Sequence, residues 1–315
     1  MLLDSNFDFE QLMRGLAAEV EPTAAKKLAA SKSHNNLRAL LMEGTFGGRI
    51  VNSYLSGSYS RGTAIHPIDD VDIVFLIDPS GWPEGDTIFS DLPNPSDVLR
   101  SFANALRRRY VRTSVFSQRR SVRLALDRLD IDVVPGIAQD GNLIQIPDVR
   151  AGEWILSGPA VHREVGADIN TRTRGVFKPT VKLIKYWNSQ LPSTARFKSF
   201  TVECMAMALF ARHRVNGIFD SVVSYYDFMA SLAGESTVAD WRSAYGINLG
   251  FFGPTVPDPS GATPNVARGL ESETIARFLD HAIRTRNCLV KAAESHRSSA
   301  AERLIHKALK FDLAT

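Results

Sequence analysis

The nine residues DVDIVFLID, Asp70 to Asp78, constrain the fold more than any other stretch of this chain. Val71–Ile77 is rich in β-branched residues and has the length of a buried strand. Residues two apart on a strand project from the same face, so Asp70 and Asp72 point the same way at its mouth. Two carboxylates about 4 Å apart repel by roughly 1 kcal/mol in water and by more where the dielectric is lower. A divalent cation would remove the conflict. The plainer reading makes both strand-entry residues, with Asp69-Asp70 forming an Asx-turn. A second β-branched run, LDIDVVPG, carries Asp130 and Asp132 on one face, and either could supply a third carboxylate from a neighbouring strand. Upstream, Gly57-Ser58 offers a close backbone approach, a hydroxyl and an N–H to a phosphate. Phosphate donors followed by D-x-D at a strand mouth form the arrangement that in-line nucleotidyl transfer needs.

The remaining sequence implies two lobes. At 315 residues there is material for two cores, and 44% apolar and 23% charged content are those of a soluble globular protein. The net charge, 37 − 34 = +3, points to no particular partner. Cys204 and Cys288 read as free thiols in a reducing cytoplasm. MLLDSNFDFEQ lacks the features of a signal peptide, and the densest apolar run, Val202 to Ala211, is about half a membrane span. Helices are expected over Phe7–Leu16 and Ala24–Met42, and a turn-forming segment over Ser56–Thr63. A loop follows over Asp78–Pro95, then a helix over Asp97–Tyr110 capped by Ser96, and a hairpin of Val122–Leu126 and Leu129–Val134 joined tightly at Asp127-Arg128. From Pro179 onward the pattern is helical: Pro179–Asn188, Phe200–Val215, Ser221–Leu232, Glu271–Ser295 and Ala300–Leu309. The expected fold class is α+β and bilobed: residues 1–160 form a sheet lobe with the N-terminal helices, and residues 161–315 a helical lobe. Two lobes imply a cleft for a small ligand.

GSYSRGT, then DVDIVFLID, then LDIDVVPG, resembles the DNA polymerase β-type nucleotidyltransferases, and more closely the bacterial cGAS/DncV-like nucleotidyltransferases (CD-NTases) and the 2′-5′ oligoadenylate synthetases. HNNLRALL, FGGRIVNSYL, VKLIKYWNSQ with FKSFTVE, and VPDPSGATPNVA extend the resemblance from about His34 to Ala267. It implies two Mg²⁺ ions, or Mn²⁺, held by Asp70, Asp72 and Asp132. Asp132 is preferred to Asp130 because Asp132-Val133-Val134-Pro135 matches the family's pattern. It further implies a triphosphate cradled by Gly57 and Ser58 and held from the helical lobe by Lys185 and Ser199, with Ser199 also suited to cap its helix. Asp258 and Asn265 would stand near a base pocket or serve a turn. Lys182 reads as a solvated basic face, Arg61 as a brace for the Gly-Ser loop, and His66 as loop support.

The implied activity joins NTPs, ATP among them, into a cyclic di- or trinucleotide messenger in CBASS-type anti-phage defence. The alternatives are linear products, another acceptor such as an aminoglycoside, a protein or an RNA, and a nucleic-acid-binding pseudoenzyme. Val98–Leu126 holds eight arginines and no acidic residue. This surface, residues 100–123, suits an activating ligand or a regulatory protein and leaves nucleic acid open. The bland alternative is a solvated helix end and hairpin edge. No zinc-ligand spacing is present.

Overall fold

A computed structural model describes residues 8–66, 70–82, 92–127, 129–234, 245–250 and 253–311. It divides into two compact units, residues 22–164 and residues 1–21 with 165–315.

The first unit is built on a seven-stranded sheet. Its strands are β1 (Ile50–Leu55), β2 (Asp70–Ile77), β3 (Ser114–Ser117), β4 (Val122–Leu126), β5 (Leu129–Ala138), β6 (Ile144–Asp148) and β7 (Glu153–Ser157). The order is β1-β2-β5-β4-β3, and β6 pairs with the far end of β5 and with β7. β2 and β5 run parallel and the other pairs antiparallel. Alternation sorts β2 into two faces. Val71, Ile73, Phe75 and Ile77 join the core with Ile131 and Val133 of β5. The other face begins with Asp70 and Asp72.

Helix α4 (Pro95–Arg109) covers the core face with Val98, Leu99, Phe102 and Leu106, spaced three and four apart. Phe102 lies 4.8 Å from Phe46 and 6.2 Å from Phe75 between ring centroids. The cap of α4 is Asn94, whose Oδ1 accepts from the Ser96 N–H at 2.9 Å, and Pro95 takes the first helical position. The expectation of Ser96 as the cap is corrected by two residues. Helices α1 (Phe9–Glu19) and α2 (Ala24–Arg38) match the expected helices, and a π-helical turn over Ala39–Thr45 extends α2. The expected turn at Ser56–Thr63 contains a short helix, α3 (Gly57–Arg61). Asp69, Arg128 and the Pro83–Gly85 part of the expected loop lie outside the described residues.

The second unit is helical: α1, most of α5 (Pro159–Arg172), α6 (Phe177–Ser189), α7 (Ser199–Phe210), α8 (Ile218–Leu232), α9 (Ser272–Ala293) and α10 (Ser298–Leu309). Trp187 of α6 is buried edge-on to Tyr226 and Phe278, at 5.0 and 5.4 Å, and its Nε1–H donates to Thr285 Oγ1 at 2.9 Å. Helix α1 belongs to this unit, although the sequence grouped it with the sheet. The Glu10 carboxylate accepts from the N–H groups of Ile218 and Phe219 at 2.8 and 2.9 Å, capping α8. A Cβ at Gly217 would stand 2.2 Å from Glu10 Oε1, so the contact requires glycine there. Cys204 is buried and Cys288 half-buried, and neither is in a disulfide.

Phe102→Ala is expected to lower stability by about 3–5 kcal/mol, whereas Phe116→Ala, on the exposed edge strand β3, should stay within about 0.5 kcal/mol of the parent. Urea unfolding of the two variants against the parent measures both.

Candidate functional site

Register brings the carboxylates of the first unit together. In the parallel β2–β5 pair, Asp70 stands opposite Asp130 and Asp72 opposite Asp132. In the antiparallel β4–β5 pair, Arg123 stands opposite Asp132. One row across three strands therefore reads Arg123–Asp132–Asp72.

Arg123 binds through this row. Its Nε–H donates to Asp132 Oδ1 at 2.9 Å and Nη2–H to Asp132 Oδ2 at 2.7 Å, a bidentate fork. The same Nη2 donates to Asp70 Oδ2 at 2.9 Å, and Nη1 lies 3.8 Å from Asp130 Oδ2. The hydrogen bonds to Asp132 lead in holding the guanidinium proton more tightly than usual, with the charges of Asp132, Asp70 and Asp130 adding to them. Asp132 is 7% exposed, and Asp70 is open to solvent.

Asp72 bears the cost of the grouping. Its carboxyl is pushed up to about 6, first by burial and then by the charges of Asp70 and Asp132; Arg61 and Arg123 offset part of this. Gly57 lies directly against it. A Cβ there would be 2.0 Å from Asp72 Oδ2, and φ is +63°, so a side chain is excluded twice over. The Ser56 N–H donates to the Asp72 carbonyl at 2.7 Å, fixing the loop to the strand. Ser58 is half-buried in α3, and its carbonyl accepts from the Thr63 N–H at 3.0 Å. Arg61 is buried beside Asp72, and His66 is exposed.

In the helical unit, Lys185 is 4% exposed, and its Nζ lies 3.4 Å from Oε2 of fully buried Glu203. Lys182, expected on a solvated face, is instead buried against Glu21, with which it pairs. The long stem of a lysine lets its aliphatic part pack while the head finds a partner. Ser199 is exposed as the first residue of α7, and the capping position belongs to Lys198. Asp258 Oδ1 accepts from the Ser260 N–H and hydroxyl, both at 2.8 Å, the geometry of a turn. Asn265 ties Val256, Pro254 and Ala267 together.

A model of the SMODS domain, "Second Messenger Oligonucleotide or Dinucleotide Synthetase domain", matches residues 8–170. A cyclic AMP-AMP-AMP synthase from an Acinetobacter strain is 31% identical over 283 residues, covering 86% of this chain and 75% of that protein. The chain belongs to the SMODS family. It is therefore a nucleotidyltransferase of the bacterial CD-NTase group. Members of known structure share its fold. Escherichia coli MS115-1 CdnC, solved in a complex with HORMA-deltaN, superposes with a TM-score of 0.74 at 19% identity, covering 98% of this chain and all of that one. Vibrio cholerae DncV cyclic AMP-GMP synthase, in complex with a linear intermediate, superposes at 0.67 and 12% identity, covering 98% and 97%.

For this SMODS protein the donor chemistry suits a hard divalent cation: three carboxylates on adjacent strands, with the Asp72 carboxyl raised first by its burial and then by the repulsion of the other two. Asp70, Asp72 and Asp132 are the residues that would hold it. Among the described residues, no three His, Cys, Asp or Glu side chains are already gathered as a metal-ligand set. The guanidinium of Arg123 stands among the acids instead. Arg123 was read in the sequence as part of the basic surface. The pairing of Leu126 with Leu129 sets residue 123 opposite 132, so the hairpin itself carried the signal.

Two outcomes follow. Asp72 titrates higher folded than unfolded, so its ionisation opposes folding. In EDTA, Asp72→Asn should match the parent below about pH 4 and exceed it by about 2–3 kcal/mol above pH 6, as read by denaturant unfolding across pH. Lys185→Met should destabilise by about 3–5 kcal/mol by leaving Glu203 charged and buried, and Lys185→Met/Glu203→Leu should recover most of that loss; thermal unfolding of the single and double variants tests this.

Proposed function

We propose that this chain condenses NTPs, ATP among them, into a cyclic di- or trinucleotide second messenger, releasing pyrophosphate. The observation that carries the reading is the registered pair Asp72 and Asp132 on parallel strands, with Gly57 pressed against Asp72. In it, Asp70, Asp72 and Asp132 are the catalytic carboxylates and hold two Mg²⁺ ions, for which Mn²⁺ can substitute. The ions, when bound, supply charge neutralisation for the attacking ribose hydroxyl and for the departing pyrophosphate. Gly57 and Ser58 receive the triphosphate on backbone N–H groups and a hydroxyl. Lys185 and Ser199, at α6 and the start of α7 in the helical unit, are the further nucleotide-binding residues of this reading.

Relatives at 31% and 26% identity are both named cyclic AMP-AMP-AMP synthases, so a trinucleotide of AMP is the first product to seek. The setting is CBASS-type anti-phage defence in the cytoplasm. Among the described residues no helix is long and apolar enough to cross a membrane. Arg108, Arg109 and Arg112 are exposed, as are Val111 and Phe116. That surface, within residues 100–123, is the place for an activating ligand or a regulatory protein. The E. coli complex makes a HORMA protein the first candidate.

Incubation with all four NTPs and Mg²⁺, followed by phosphatase and mass spectrometry, should yield a phosphatase-resistant oligonucleotide that falls to background in Asp72→Ala. Linear or protein-attached products alone from active protein would overturn the reading.

A further inference from the structure

Arg123 takes up carboxylate oxygens of Asp70 and Asp132, two of the residues that would hold a cation. Its Nη2 binds one oxygen of Asp70 and one of Asp132, on two different strands, at 2.9 and 2.7 Å, and its Nε binds the second oxygen of Asp132. The side chain is 28% exposed and that of Asp132 10%, so solvent screens the pairing only in part. The strand register holds the guanidinium in place, because residue 123 lies directly opposite 132. Other arginines of the block are engaged elsewhere: Arg119 and Arg120 grip buried Asp148 at 2.6 and 3.1 Å, and Arg107 donates to the Val115 carbonyl at 3.2 Å.

We infer that Arg123 is the resident counter-ion of the metal-free site: it neutralises Asp70 and Asp132, and a divalent cation must displace it to bind. The inference rests on the proposed role of these carboxylates as metal ligands, and it makes Arg123 a positioning residue with no part in the chemistry. Removing a unit positive charge next to two ligands strengthens their hold on a cation. A merely structural ion pair predicts the reverse, since its loss would loosen the strands and leave cation binding unchanged or weaker.

The test is Mn²⁺ binding without nucleotide, measured by electron paramagnetic resonance of free Mn²⁺ on parent and Arg123→Gln. The variant is expected to bind Mn²⁺ at least about tenfold more tightly, and Asp132→Asn added to it should abolish the gain. In EDTA the variant should melt below the parent, and Mn²⁺ should raise its Tm more. If Arg123→Gln does not fold without metal, Arg123→Met replaces it, since methionine keeps the packing of the stem without the charge; tighter Mn²⁺ binding than the parent supports the inference. Equal or weaker binding by a folded variant overturns it, while the synthase reading stands if the parent still makes cyclic product. If neither protein binds Mn²⁺ and the parent makes no product, both fall.

Discussion

Repulsion among carboxylates at the mouth of two parallel strands is the constraint around which the sheet unit is arranged. Asp72 and Asp132 are adjacent because β2 and β5 pair in parallel with that register. A shift by one residue would send the acids into the core and Ile73 and Val133 to the opposite face. The apolar face is therefore what holds the charged one in place. Val71, Ile73, Phe75, Ile131 and Val133 are all buried in one core with α4, and each fully buried side chain of this kind contributes about 1.5–3 kcal/mol. Together these outweigh the cost of crowding negative charge on the other side.

The helical unit also buries charge, under different terms. Lys185 and Glu203 are both withdrawn from solvent and stand 3.4 Å apart. Such a pair adds little net stability, because desolvation offsets attraction, yet losing either partner is costly. Glu10 caps α8 in a similar all-or-nothing way, with Gly217 clearing room for it. The N-terminal helix is held by a hydrogen-bonded carboxylate together with the ring contact of Phe9 on Phe219, 4.5 Å between centroids.

These differences decide what the sequence could reveal. The strand Asp70–Ile77, the hairpin and the five C-terminal helices follow local pattern, and their type was legible within a few residues. The family was legible too, since its motifs are local. The membership of α1 was not, because it depends on Glu10 meeting residues 217–219, some two hundred positions away. α5 has little amphipathic pattern to mark it, and β3, β6 and β7 are short strands of mixed polarity. Lys182 was misread because helix periodicity assigns a face but does not say that Glu21 will cover it. Arg123 was lost among its neighbours, although counting outward from the hairpin turn sets it against Asp132.

The placement of Arg123 also explains an asymmetry between the carboxylates. Its hydrogen bonds go to Asp70 and Asp132, while Asp72 is the acid whose carboxyl is raised to about 6. Asp72 is deeper than Asp70 and carries the repulsion of both neighbours together with its own desolvation. The guanidinium fork satisfies Asp70 and Asp132 and leaves the third acid, Asp72, without a share of it. Gly57 brings backbone against that third acid where any side chain would collide. The strongest unmet demand for positive charge thus falls at the point where the glycine loop and the strand meet, and the register of β4, β5 and β2 puts it there.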